Sequence, residues 1–81
     1  MTILLFGVTK DIVGSSSLSL PLSSTGRLKT VGALKTYLGN TYPELLRLSS
    51  LAVAVNNSYA KDGQKIDNFD EIALIPPVSG G

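Results

Sequence analysis

Thr2-Ile3-Leu4-Leu5-Phe6-Gly7-Val8 opens the chain with an almost unbroken apolar run rich in strand formers, ended by the polar pair Thr9-Lys10. Such a run reads as a strand buried on both faces or nearly so. Lys10-Asp11-Ile12-Val13-Gly14 reads as one short helical turn or a loop, with Gly14 as a left-handed cap. From Ser15 to Leu22 the pattern alternates, with Leu18, Leu20 and Leu22 on one face and Ser17, Ser19 and Pro21 on the other. That is a half-buried strand, and Pro21, which has no N–H to give to a ladder, marks it as an edge or an end.

Beyond the polar connection from Ser23 to Gly26, the period changes. Thr30 is a good N-cap, and Val31, Leu34, Leu38 and Tyr42 share the apolar face of a helix. Gly39-Asn40 supplies a stop signal, and Pro43 opens a second short helical piece running to Leu48. Leu51-Ala52-Val53-Ala54-Val55 is a strand, Asn56-Asn57-Ser58 a turn, and Tyr59-Ala60 the start of a short partner strand. Glu71-Ile72-Ala73-Leu74-Ile75 is the last strand, stopped by Pro76-Pro77. The order β-β-α-β-(short β)-β predicts an α+β domain with a mixed sheet and one main helix packed on it. This is the pattern of the β-grasp (ubiquitin-like) fold, although other small α+β folds share the order. The expected division is a domain over residues 1–75 and an extended Gly-Gly tail over 76–81.

The composition belongs to a folded protein, 43% hydrophobic and 16% charged over 81 residues. So little charge on a small domain suggests that a partner covers part of the surface. The seven basic residues are scattered, the net charge is +1, and no aromatic sits in a basic run, which argues against nucleic-acid binding. Without cysteine there is no disulfide, thiolate zinc site or thiol nucleophile. The opening apolar run is too short for a signal peptide and nothing approaches a membrane span, so a cytoplasmic protein is expected.

Several weaker signals resolve into structural roles. Asn56-Asn57-Ser58 fits a glycosylation sequon, but Asn-Ser clusters also form turns and no secretory signal accompanies it. Gly7 and Gly14 lack the spacing and the lysine of nucleotide-binding loops. Asp67, Asp70 and Glu71 lack calcium-loop spacing and read as solvated turn charges, so no metal is expected. Ser15-Ser16-Ser17 has no histidine anywhere in the chain to serve as its base.

Chemistry concentrates in Pro76-Pro77-Val78-Ser79-Gly80-Gly81. Two adjacent prolines cannot continue a ladder and hold the chain extended. Six extended residues reach at most about 20 Å, so the reading is a thin probe projecting from the last strand. Glycine, lacking Cβ, lets backbone enter a narrow channel. The Gly81 carboxylate is a poor electrophile, but adenylation by a separate ATP-using enzyme would make it an acyl donor, and sulfide could then replace the adenylate to give a thiocarboxylate. None of this asks for histidine, cysteine or metal on this chain.

The closing Asp70-Glu71-Ile72-Ala73-Leu74-Ile75-Pro76-Pro77-Val78-Ser79-Gly80-Gly81 resembles the end of the molybdopterin synthase small-subunit family: an acidic pair, a short apolar strand, then Pro-Pro-Val-Ser/Thr-Gly-Gly. Ala54-Val55-Asn56 is a second match, and the apolar opening with its basic-acidic turn ending Val13-Gly14 a third. The resemblance spans essentially the whole chain. It departs at Phe69, where the family usually has glycine, and at Asn57-Ser58. At the first departure, Asn68 is expected to take the left-handed conformation instead.

The resemblance implies a non-catalytic sulfur-carrier subunit. Gly81 would be adenylated by a ubiquitin-activator-like enzyme using ATP and Mg²⁺, and a sulfur donor would convert it to the thiocarboxylate. No cofactor would be bound by this chain. Gly80, Ser79, Val78 and Pro77 would enter a channel of the large synthase subunit, which supplies the catalytic residues. Ile75, Phe6 and Lys10 would contribute to the partner interface. Sulfur would pass to cyclic pyranopterin monophosphate within a heterotetramer of two large and two small subunits. Alternatives are a carrier for thiamine synthesis or tRNA thiolation, a ubiquitin-like protein modifier, and a plain interaction domain.

Overall fold

In the computed structural model, residues 1–21, 26, 28–48 and 51–76 are described. The strands are β1 (Thr2–Leu5), β2 (Ser17–Ser19), β3 (Ala52–Val55), β4 (Ser58–Ala60) and β5 (Glu71–Ile75). The helices are α1 (Val8–Val13), α2 (Val31–Thr41) and a 3₁₀ segment, Pro43–Arg47. The strands form one sheet in the order β2-β1-β5-β3-β4. β1 and β5 are parallel and every other pair is antiparallel. This is the expected mixed sheet carrying one main helix, the β-grasp architecture.

The core lies between α2 and one face of the sheet. Ile3 and Leu5 of β1, Ile72 and Leu74 of β5, and Val53 of β3 meet Val31, Leu34 and Leu38 of α2, all essentially inaccessible. Fully burying each such side chain contributes about 1.5–3 kcal/mol. β1 is therefore buried on one face, not on both: Thr2 is exposed and Leu4 half-buried. The reason is architectural, since no second layer covers the other side among the described residues. β1 also stops at Leu5 instead of running to Val8. The buried Thr9 hydroxyl accepts the Phe6 amide at 3.0 Å and donates back to the Phe6 carbonyl, which turns the chain into α1. Gly14 ends α1 in the left-handed region, φ 86°, as its sequence context predicts.

Thr30 caps α2 through its hydroxyl, which accepts the Ala33 amide at 3.2 Å. The connection before β5 finishes this cap: the Val31 and Gly32 amides donate to the Gln64 and Asp62 carbonyls at 3.0 and 2.8 Å. The helix runs through Gly39-Asn40 to Thr41, past the expected stop. Pro43 ends it, because the residue before a proline is pushed out of the helical region, and Tyr42 sits at φ −127°, ψ 82°. Gly39 serves close packing: a Cβ there would stand 2.5 Å from Leu46 Cδ2 of the 3₁₀ segment. β2 is an edge strand, shorter than the alternation suggests, with Leu20 buried beyond its end; Leu22 lies outside the described residues. No helix among the described residues is long and apolar enough to cross a membrane.

Candidate functional site

Parallel pairing of β1 with β5, Leu5 opposite Leu74, brings the C-terminal ends of both strands to the same rim of the sheet. There the two chains part. β1 turns away through Phe6-Gly7 into α1, while β5 runs on through Ile75 to Pro76, the root of the tail. Gly7 has φ 55° and ψ −133°, angles that a residue with a side chain rarely adopts. Pro76 is half-buried, and its ring stands where a side chain on residue 7 would be: a Cβ at Gly7 would lie 2.9 Å from Pro76 Cγ.

The start of β5 is fixed by Asn56. Its amide donates to the Glu71 carbonyl at 2.8 Å, and its side-chain oxygen accepts the Glu71 amide at 2.9 Å. Its Nδ2 donates to Asp70 Oδ1 at 2.9 Å, while Asp70 Oδ2 accepts the Asp67 amide at 2.8 Å. The Asp67 amide, then the Asn56 side chain, hold the Asp70 carboxyl below its usual range. The two stretches Ala54-Val55-Asn56 and Asp70-Glu71, read separately in the sequence, are thus one clamp. Asn56 and Asn57, at φ 51° and 69°, form the tight turn between β3 and β4, the all-positive conformation that two-residue hairpins favour. Asn68, by contrast, does not adopt a positive φ. Its turn is held by Asp67, whose side chain accepts the Phe69 amide at 2.8 Å, so no left-handed residue is required.

The sheet face turned away from α2 carries an apolar patch bordered by polar residues. Leu4, Phe6, Ala54, Tyr59, Ala73 and Ile75 line a shallow depression of about 270 Å³, with Asn57 and Glu71 at its border. Phe6 is 50% and Tyr59 74% exposed. Of the interface candidates, Ile75 and Phe6 share this depression. Lys10 does not line it; it is exposed on α1, one turn beyond Gly7, its amide donating to the Gly7 carbonyl at 3.1 Å. Pro77, Val78, Ser79, Gly80 and Gly81 lie outside the described residues. The sequence reading missed Leu4, Tyr59 and Ala73 as members of this face. The alternation Glu71, Ala73, Ile75 against Ile72, Leu74 carries that information once one face is known to be uncovered.

A larger cleft of about 470 Å³, between residues 28–30 and 65–68, sits toward the start of β5, far along the strand from the tail root. Among the described residues no group of histidine, cysteine and acidic side chains is placed to hold a metal.

Comparison with known proteins places the chain in a family. The ThiS family model matches residues 3–81. The chain is 38% identical to the molybdopterin synthase sulfur carrier subunit of Dictyostelium discoideum, across 98% of this chain and 93% of that protein. It is 33% identical to the Aedes aegypti protein of the same name, across 100% and 88%. Among solved structures, SAMP1 from Haloferax volcanii superimposes with a TM-score of 0.75 at 28% identity, covering 99% of this chain and 97% of that one.

Proposed function

Because the chain belongs to the ThiS family, together with the molybdopterin synthase sulfur carrier subunits, we propose that it carries sulfur on the C-terminal carboxyl of Gly81. The observation that carries this reading is the family match running through Gly80-Gly81. The Gly81 carboxylate attacks the α-phosphorus of ATP on an activating enzyme; pyrophosphate leaves and an acyl adenylate forms. Sulfide-level sulfur from a donor then attacks the carbonyl carbon, AMP leaves, and the product is the thiocarboxylate. In the large subunit's channel the sulfur passes to cyclic pyranopterin monophosphate. Water supplies the oxygen that restores the carboxylate. ATP and Mg²⁺ are used by the activating partner, and the transfer residues belong to the large subunit.

The domain contributes geometry. Pro76-Pro77 end the ladder and extend the chain, and the glycines let it pass a narrow channel. The apolar face of Leu4, Phe6, Tyr59 and Ile75 supplies the docking area that a partner would cover, within an assembly of two large and two small subunits. An exposed aromatic pair beside aliphatic side chains is the composition expected of an interface centre.

The test is intact mass. Incubated with ATP, Mg²⁺, an activating enzyme and a sulfur source, the chain exchanges one terminal oxygen for sulfur, and deletion of Gly81 abolishes the exchange while the fold persists. An unchanged mass, under conditions that activate a control carrier, refutes the proposal. One likeness favours a second reading: SAMP1 from Haloferax volcanii is a small archaeal modifier protein. Recovery of isopeptide conjugates through Gly81 would select that role.

A further inference from the structure

We infer that Gly7 is a positioning residue for the tail: its bare Cα forms the seat on which the Pro76 ring rests, and this seat sets where the tail leaves the domain. The inference rests on the carrier reading and extends it to a residue that no partner needs to touch. Two independent features meet at Gly7. Its backbone, φ 55° and ψ −133°, turns β1 away from β5. Its missing side chain leaves the space the ring occupies, with an added Cβ falling 2.9 Å from Pro76 Cγ and 3.8 Å from Cδ. The atom in the way belongs to a closed ring, which cannot swing aside as the end of a long side chain can. Pro76 is half-buried and follows directly on Ile75, the last paired residue of β5, opposite Ala52.

The consequence is local preorganisation. Proline fixes its own φ and favours an extended predecessor, so a seated ring fixes the position of Pro76, the point at which the tail begins. Five residues separate that point from the carboxyl, a reach of at most about 18 Å when extended. A partner that threads the tail must order each of these residues, and an unseated root adds one more. Ordering one further backbone residue weakens productive docking about 5- to 30-fold. The loss falls on binding that ground and transition states share, so KM rises and kcat holds.

Gly14 provides the control. It also has a positive φ, 86°, but a Cβ there meets nothing within 4 Å. Gly14→Ala therefore carries the milder strain of the left-handed region, ψ 15° against −133° at Gly7, without touching the tail, and thermal unfolding separates the difference in stability from the difference in KM. The experiment measures KM and kcat of the activating enzyme for the full-length chain as wild type, Gly7→Ala, Gly14→Ala, Pro76→Ala and Gly7→Ala/Pro76→Ala, each also characterised by thermal unfolding. Expected is a rise in KM of about 5- to 30-fold for Gly7→Ala with kcat unchanged, against little change for Gly14→Ala. Pro76→Ala removes the ring and reproduces the rise, and Gly7→Ala adds no further KM effect in that background, the signature of two groups acting as one contact. Should Gly7→Ala fail to fold, Pro76→Ala carries the test alone, because it empties the seat without straining residue 7. The inference is overturned if Gly7→Ala matches Gly14→Ala in KM, if the two changes add independently, if Pro76→Ala leaves KM at the wild-type value, or if kcat falls with KM constant. A wild-type chain that is never activated beside an active control overturns the carrier reading and this role with it. A normal wild type with any of the preceding results removes this role alone.

Discussion

Replacing Asn56 by alanine isolates the device that fixes the start of β5. Two effects add. At φ 51° alanine gives up the local polar contacts that let asparagine occupy the left-handed region, at about 1 kcal/mol. The side-chain oxygen that accepts the Glu71 amide at 2.9 Å is lost, and a neutral bond of this kind contributes about 0.5–1.5 kcal/mol. The exposed contact with Asp70 is screened by water and is left out of the sum. The total is about 2 kcal/mol, which for a domain of this size lowers Tm by about 8–16 °C. Asn57→Ala is the internal reference. Asn57 shares the left-handed backbone, φ 69°, but makes no side-chain hydrogen bond among the described residues, so its loss is limited to the left-handed preference of asparagine over alanine, about 1 kcal/mol. Far-UV circular dichroism on heating, with urea titration at 25 °C, measures both variants. Amide exchange at Glu71 should accelerate in Asn56→Ala and stay slow in Asn57→Ala. Equal losses in the two variants, or unchanged protection at Glu71, would refute the clamp.

Three further outcomes follow from the same geometry. Leu74→Ala removes a fully buried side chain from the central strand and should cost about 2–5 kcal/mol, read as a lower urea midpoint with an unchanged slope. Asp70 titrates below its usual range in the folded state, through the Asp67 amide and the Asn56 side chain; the stability it contributes is complete above the unfolded carboxyl pKa and lost as pH falls through the lower folded value. Asp70→Asn should therefore flatten that acid limb, lowering Tm near neutral pH and converging on wild type at the acid end, as thermal melts across pH 2–7 would register, a range that spans ordinary Asp titration (~3.9). Phe6→Asp and Tyr59→Asp, both at exposed positions of the open sheet face, should keep Tm near wild type yet weaken calorimetric binding to the large subunit by about tenfold or more; undiminished affinity would move the docking surface elsewhere.

By itself the sequence determined whatever depends on neighbours within a turn or a strand. The order of strands and the main helix, the Thr30 cap, the left-handed Gly14, the proline stop after Ile75 and the Gly80-Gly81 end are all local signals, each set by a few residues' own stereochemistry. The tertiary structure decided the rest, because the relevant partners are distant in the chain. Only the one-sided covering of the sheet shows that Leu4 and Phe6 face outward while Ile3 and Leu5 are buried. Gly39 looks like a terminator until Leu46 is seen packed against it, and the helix continues to the residue before Pro43. Asn56 meets Asp70 and Glu71 only once β3 and β5 pair in one register, and the turn at 67–70 then needs no left-handed Asn68. Gly7 meets Pro76 only because β1 and β5 run parallel and end at the same rim. Stereochemistry acts along the chain and is legible there, whereas contact across a sheet is fixed by pairing and register, which the whole core selects together.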